Sequence, residues 1–265
     1  MQKKYGLSIT EPCEEVFSCG LFSSVEYATT RLDKDTFDII KEDAQKLKGY
    51  SEKYNTKIKS FHLPFSHNSY YKIAPSSLDE GVREKTLEYT KKLIDIYSLC
   101  NIEYIVIHAS ARVEDKDRPK HLKAFTDYLK KLCDYCLKYN IKVAVESLKP
   151  RCIGNGKDEL LYIMENVKRE NAGICFDSNH LLNEDNIEFL KECGKYVIAT
   201  HLSDFDGIDE RHWYPGRGIN KWKEIVSLLK ENGYRGDYTF EVSWPDDKPC
   251  LTEYKKLIDE WESLF

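Results

Sequence analysis

Long hydrophobic runs are missing from this 265-residue chain. No stretch approaches the ~18 apolar residues that a membrane-spanning helix needs, and the apolar stretch after Lys4 is too short for a signal peptide. An excess of positive charge is missing too, since 40 Lys and Arg face 45 Asp and Glu. We therefore expect no membrane partner and no general attraction to nucleic acid.

The cysteines lack the even number that a disulfide framework needs. Nine of them are scattered along the chain, which is typical of a reducing compartment and predicts a cytoplasmic location. Cys133 and Cys136 form one Cys-x-x-Cys pair, but no second pair follows at zinc-site spacing. Both fall on an apolar helical face, so we interpret them as buried thiols.

Linkers, low-complexity segments and shifts in composition are also missing. Strand candidates instead alternate with amphipathic stretches of helical spacing along the whole chain. The eight strand candidates are residues 5–9, 24–28, 58–63, 103–108, 141–146, 172–177, 197–202 and 237–242. This alternation predicts an α/β protein, a (β/α)8 TIM barrel formed by residues 1–265 as one domain. A doubly wound sheet is the alternative, and the lack of Gly-x-Gly-x-x-Gly after the first strand weighs against it.

Ionisable residues stand at the ends of the strand candidates. The apolar run at 173–176 stops at Asp177, with His180 three residues later. Other runs end on single ionisable residues: His62, His108, Glu146, His201 and Glu241. In a TIM barrel these positions meet at one mouth, where the chemistry of the fold takes place.

The convergence of these groups predicts a metal site. No lysine or arginine ends a strand, and buried acids and imidazoles without a cation would cost several kcal/mol each. An oxygen-rich set favours Mn²⁺, Mg²⁺ or Co²⁺, whereas more histidines favour Zn²⁺.

Several motifs carry a family resemblance. They are Phe61-His62-Leu-Pro64, Ala172-Gly-Ile-Cys-Phe-Asp177-Ser-Asn-His180, Thr200-His201-Leu-Ser-Asp204, His212-Trp-Tyr-Pro-Gly216-Arg-Gly218 and Thr239-Phe-Glu241-Val. Together they resemble the xylose isomerase-like barrel superfamily of sugar (phosphate) isomerases, epimerases and inosose dehydratases, which includes endonuclease IV.

The resemblance implies a ligand set for one central ion: Glu146, Asp177, His201 and Glu241. In endonuclease IV-like members, the residues matching His62 and His108 bind a second zinc with a bridging Glu146. The residues matching His180 and His212 bind a third zinc together with an aspartate, where this chain has Glu210.

The function expected from these residues is that of a metal-dependent isomerase or epimerase. The substrate would be a sugar, a sugar phosphate or a related polyol ketone, with an enediolate stabilised by the metal. Glu146 and Glu241 would exchange the carbon-bound proton, and His62 and His180 would bind substrate hydroxyls.

Further substrate contacts are expected from charged and aromatic side chains. Lys149, Arg151 and Arg217 are candidates for a phosphate, and Trp213 and Trp244 for the carbon skeleton. The loop at 64–79 would cover a small polar ligand.

Two other enzymes stay open. One is an inosose dehydratase-like lyase, and the other is an endonuclease IV-like trizinc phosphodiesterase acting on abasic DNA, which would need a basic rim. The sequence leaves the exact substrate, the metal and the oligomeric state, including a homo-oligomer, undecided.

Overall fold

The computed structural model describes residues 4–29, 36–65, 73–110, 113–245 and 249–265. Within these ranges strands and α-helices alternate. The strands are β1 (Tyr5–Ile9), β2 (Ser24–Ala28), β3 (Lys57–His62), β4 (Tyr104–Ile107), β5 (Lys142–Glu146), β6 (Ala172–Asp177), β7 (Val197–His201) and β8 (Tyr238–Phe240). The helices are α1 (Glu14–Ser18), α2 (Thr36–Tyr54), α3 (Glu80–Tyr97), α4 (Arg118–Cys136), α5 (Gly156–Val167), α6 (Asn186–Cys193), α7 (Trp222–Glu231) and α8 (Leu251–Glu262).

The strands form one parallel sheet in the order β7-β6-β5-β4-β3-β2-β1-β8. A bridge between Leu202 and Phe240 joins its two ends, with Leu202 N donating to Thr239 O at 2.8 Å. The sheet is therefore a nearly closed barrel, and the (β/α)8 class predicted from the alternation is confirmed.

Helices cover the outer face of the barrel because each presents an apolar stripe to it. Leu7, Val25 and Phe61 point outward from their strands and are fully buried beneath these helices. Side-chain caps fix where two helices begin: Asp79 accepts from Val82 N at 3.2 Å, and Asp185 from Ile187 N at 2.7 Å.

The predicted strands agree with the observed ones to within two residues, and three have identical bounds. As a consequence, His62, Glu146, Asp177 and His201 each close a strand, whereas His108 and Glu241 lie one residue beyond β4 and β8. Part of the predicted lid, residues 66–72, lies outside the described residues.

All nine cysteines are free thiols, and Cys133 and Cys136 are buried on α4 as expected. Burial raises the pKa of Cys133 to about 12, which keeps it protonated. No helix in the described part of the chain is long and apolar enough to cross a membrane.

Candidate metal centre and cavity

Four predicted ligands meet at the carboxyl ends of β5 to β8. Glu146, Asp177, His201 and Glu241 each bring one ligand atom to within 4.8 Å of the others. The first three are fully buried, while the Glu241 side chain is 28% exposed. We call these four residues the central cluster.

Orphaned polar atoms indicate that the central cluster fits a metal ion. Asp177 Oδ2 and both ring nitrogens of His201 are buried without a hydrogen-bond partner among the described residues. His201 Nδ1 lies 3.3 Å from Glu241 Oε2 and 3.5 Å from Glu146 Oε1. Three carboxylates around one imidazole are a donor set for a divalent ion, and such an ion would satisfy Asp177 Oδ2 and His201 Nδ1.

The carboxyl groups of the central cluster differ in how readily they ionise. Burial raises the pKa of Asp177 to about 7, although His180 acts in the opposite direction. Burial also opposes ionisation of Glu146, but His108 and His201 outweigh it and hold its pKa well below the usual value. One carboxylate therefore stays ionised beside another that resists ionisation.

Two histidines hold the second oxygen of Glu146. His62 Nε2 lies 2.8 Å and His108 Nε2 2.9 Å from Glu146 Oε2. The backbone carbonyl of Leu63, 2.8 Å from His62 Nδ1, fixes the orientation of the His62 ring. His62, Glu146 and His201 also form a group close enough to hold an ion.

A second group lies nearer to the surface. His180, Glu210 and His212 bring their ligand atoms to within 4.8 Å of one another, and we call them the outer cluster. Glu210 Oε1 lies 3.2 Å from His180 Nε2 and 3.0 Å from His212 Nε2. The ammonium of Lys149 contacts the other oxygen, Oε2. A lysine cation thus already contacts the outer cluster.

Protonation of the outer cluster follows from these contacts. Hydrogen bonds from His180 and His212 lower the pKa of Glu210. Burial disfavours the charged form of His212, but Glu210, Glu241 and Asp177 together outweigh it and raise the pKa of His212 to about 9. At neutral pH the metal-free protein therefore carries an ionised Glu210 and a protonated His212.

The loop after β7 carries Glu210 and His212 of the outer cluster, and Asp204 anchors this loop. Its carboxylate accepts from Gly216 N at 2.9 Å, Asn220 N at 3.1 Å and Trp222 Nε1 at 2.9 Å. Gly218 is required there, because a Cβ would lie 2.1 Å from Phe205 O. These contacts explain why so irregular a segment holds Glu210 and His212 in place.

A cavity of about 660 Å³ lies above the central cluster. Its polar wall contains eight of the predicted site residues: His62, His108, Glu146, Lys149, His180, Glu210, His212 and Glu241. Its apolar wall contains Phe65, Ile73, Pro75 and Leu148. Such a mixture is typical of small-molecule sites, and Asp177 and His201 are buried beneath it.

Four predicted substrate contacts do not line this cavity. Arg217 makes two hydrogen bonds to Glu260 of α8, at 2.7 and 2.6 Å. Trp244 packs edge-on against Tyr254, 5.3 Å between ring centroids. Trp213 and Arg151 are exposed and are absent from the described cavity wall.

Sequence reasoning missed Glu26. This residue lies in the middle of β2, is 2% exposed, and places Oε1 2.7 Å from His201 Nε2. The alternation in β2 contains a signal, since Ser24 and Glu26 share one face of the strand while Val25 and Tyr27 share the other. An acid on the inner face of a barrel strand needs a partner.

Comparison with known proteins agrees with this architecture. The chain is 27% identical to the inosose isomerase of Bacillus subtilis over 191 residues, which are 69% of this chain and 66% of that protein. A structure of the IOLI protein with a binding zinc atom superposes with a TM-score of 0.80 at 20% identity, covering 99% of both chains.

A second solved structure, a D-tagatose 3-epimerase-like protein, gives a TM-score of 0.79 at 23% identity and covers 98% of this chain and 97% of its own. The sequence model of the xylose isomerase-like TIM barrel matches residues 13–263. The chain therefore belongs to the xylose isomerase-like TIM-barrel family.

Proposed function

We propose that this protein is a metal-dependent isomerase or epimerase of an unphosphorylated sugar or polyol ketone. The observation that carries the proposal is the position of Glu146 and Glu241, which belong to the central cluster and also line the cavity. A substrate in the cavity would therefore contact both carboxylates. The similarity to an inosose isomerase and to a D-tagatose 3-epimerase-like protein supports this choice.

The chemistry divides between the ion and the protein. A divalent ion in the central cluster would act as a Lewis acid on a substrate carbonyl and so acidify the neighbouring C–H bond. Glu146 and Glu241 would move the proton, one removing it from carbon and the other returning it. Their ligand atoms lie within 4.8 Å of each other, which suits two carboxylates serving one reacting centre.

The charge of the cavity wall favours a neutral substrate. Lys149 is the only lysine or arginine among the described residues of the wall, and its ammonium contacts Glu210. A phosphate would need a free cation or a bidentate arginine, whereas Arg217 is engaged by Glu260. Sugar hydroxyls can instead bond to the imidazoles of His108, His180 and His212.

The apolar wall would exclude water from the reaction. Phe65 stacks on the His108 ring with 3.9 Å between centroids, beside Ile73, Pro75 and Leu148. Water exclusion strengthens the interactions among the charged groups and protects a reactive enediolate from side reactions.

A dehydratase-like lyase is the second candidate. The raised pKa of His212, about 9, supplies an acid on the cavity wall that is protonated at neutral pH. Such an acid could protonate a leaving hydroxyl after the carbon-bound proton has been removed.

A trizinc phosphodiesterase is favoured by one observation, namely the three groups of residues that could hold ions. The contact of Lys149 with Glu210 weighs against it, as does the lack of further basic residues on the described wall. The isomerase remains the better supported proposal.

The test is solvent exchange. The protein is incubated in deuterated water with ketoses and inososes, with and without Mn²⁺, Co²⁺ or Zn²⁺, and the recovered sugars are examined by mass spectrometry and NMR. We expect metal-dependent deuterium incorporation beside the carbonyl together with an isomer or epimer. Dehydrated product would favour the lyase, and an absence of exchange with scission of abasic DNA would overturn the proposal in favour of the phosphodiesterase.

A further inference from the structure

Glu26 is a buried acid that the proposed proton transfer does not use. It lies on the inner face of β2, paired in register with Ser8 of β1 and Ser60 of β3. Within the described chain its single ion pair is the one with His201. A carboxylate with 2% exposure requires compensation for the loss of water, so this contact has to be explained.

The two serines fix the carboxylate. Ser60 Oγ donates to Glu26 Oε2 at 2.7 Å, and Ser8 Oγ donates to Oε1 at 3.3 Å. Both hydroxyls come from neighbouring strands of the barrel, which are the most rigid supports that the fold offers. Glu26 therefore presents Oε1 to the lumen in a defined position.

His201 lies between Glu26 and the central cluster. Its Nε2 is 2.7 Å from Glu26 Oε1, and its Nδ1 is 3.3 Å from Glu241 Oε2. Nε2 makes no aligned hydrogen bond to Oε1, so the carboxylate acts on the ring through its charge. A carboxylate so close to Nε2 still favours the tautomer with its proton there.

The tautomer matters because only an unprotonated ring nitrogen can bind a metal. Acids that hold the second nitrogen of a ligating histidine orient the ring and increase its basicity. We propose that Glu26 is a positioning residue that keeps the proton of His201 on Nε2 and leaves Nδ1 available to an ion in the central cluster. This inference deepens the proposed function and rests on its metal site.

A purely structural role for Glu26 is the alternative, and the chain offers a matched control. Asp43 is also a buried acid that accepts one short hydrogen bond, 2.7 Å from Tyr27 OH, but it lies on α2, outside the barrel lumen. Glu26→Gln and Asp43→Asn each replace a buried carboxylate with an amide of the same shape.

The experiment measures Co²⁺ affinity and the visible absorption of bound Co²⁺, together with the melting temperature of each metal-free variant. We expect Glu26→Gln to bind Co²⁺ about 10–100-fold more weakly, with an altered spectrum, and Asp43→Asn to bind it like the wild type. Ser60→Ala, which loosens the carboxylate but retains its charge, should weaken binding in the same direction by less.

Equal affinities of Glu26→Gln and the wild type would overturn the inference, and so would equal losses in Glu26→Gln and Asp43→Asn. If Glu26→Gln does not fold, Ser60→Ala decides, and wild-type affinity in that variant would overturn the inference. A wild-type protein that binds no Co²⁺ would overturn the metal site itself, and the inference with it. Co²⁺ binding by the wild type without any sugar exchange would leave the inference standing while the proposed reaction fails.

Discussion

The central and outer clusters are built from the same residue types but differ in how their charge is balanced. The central cluster has three carboxylates and one histidine at strand ends, and no lysine or arginine contacts it within the described chain. The outer cluster has one carboxylate on a loop, already bonded by two histidines and contacted by Lys149. Composition alone therefore does not distinguish the two clusters, whereas the number of carboxylates and the contact with a lysine do.

Substitution of Glu241 should have the largest effect on activity, because this residue belongs to the central cluster and also lines the cavity. Glu241→Gln should lower deuterium exchange by roughly 10²–10⁴-fold, the usual contribution of general acid–base catalysis. Glu103→Gln, which changes an exposed glutamate preceding β4, is the control. Exchange at the wild-type rate in Glu241→Gln would remove this residue from the mechanism.

Substitution of Asp177 tests whether the central cluster binds a metal ion. Asp177→Asn should weaken Mn²⁺ binding by about 100-fold or more, because it removes a charged ligand. Loss of a residue that only orients a ligand already lowers metal affinity by about 10–100-fold. The metal-free variant should be more stable than the metal-free wild type at pH 8, because burial raises the pKa of Asp177 to about 7. Thermal melts with and without Mn²⁺ measure both effects, and unchanged stabilisation by Mn²⁺ would contradict the assignment.

Titration of His212 in the outer cluster should make the stability of the protein depend on pH. His212 has a folded pKa of about 9, above its usual 6.5. The protonated His212 therefore stabilises the folded state fully below pH ~6.5, and this stabilisation is lost as the pH rises through 9. The loss in the free energy of unfolding is on the order of 2 kcal/mol. Urea unfolding of metal-free protein at pH 6.5 and 9 measures this loss.

The His212→Asn variant separates His212 from its neighbours. The raised pKa values of His180 and His201 act in the same direction, so the variant should show a smaller loss of stability than the wild type. Identical losses in the two proteins would contradict the role of His212.

Substitution of Lys149 should have the smallest effect, a modest change in zinc affinity. If its ammonium substitutes for an ion in the outer cluster, Lys149→Met should tighten the binding of a second Zn²⁺ by only two- to fivefold, because a half-exposed ion pair contributes 0.2–1 kcal/mol. Calorimetric titration of zinc measures this change. Weaker second-site binding in the variant would show that Lys149 is not a competitor.

The convergence of the strand-end residues was predictable from the sequence because two regularities determine it, whereas the choice of four ligands among them came from the family resemblance. Strand ends can be recognised from apolar runs, and a TIM barrel brings all such ends to one mouth, so Asp177 and His201 could be placed together. Arg217 could not, since its partner Glu260 lies 43 residues away on α8 and no local pattern indicates that pairing. Glu26 was missed because it lies in mid-strand, where only the alternation of β2 marks it and no strand end does.

The most direct test of the account is the number of ions held by protein purified without added metal. Elemental analysis should find about one divalent ion per chain in the wild type and in His212→Asn, and almost none in Asp177→Asn, because the central cluster offers three carboxylates without a contacting lysine or arginine, whereas Lys149 contacts the single carboxylate of the outer cluster. About three zinc ions in the wild type, falling to about two in His212→Asn, would contradict the account and show that both clusters are metal sites.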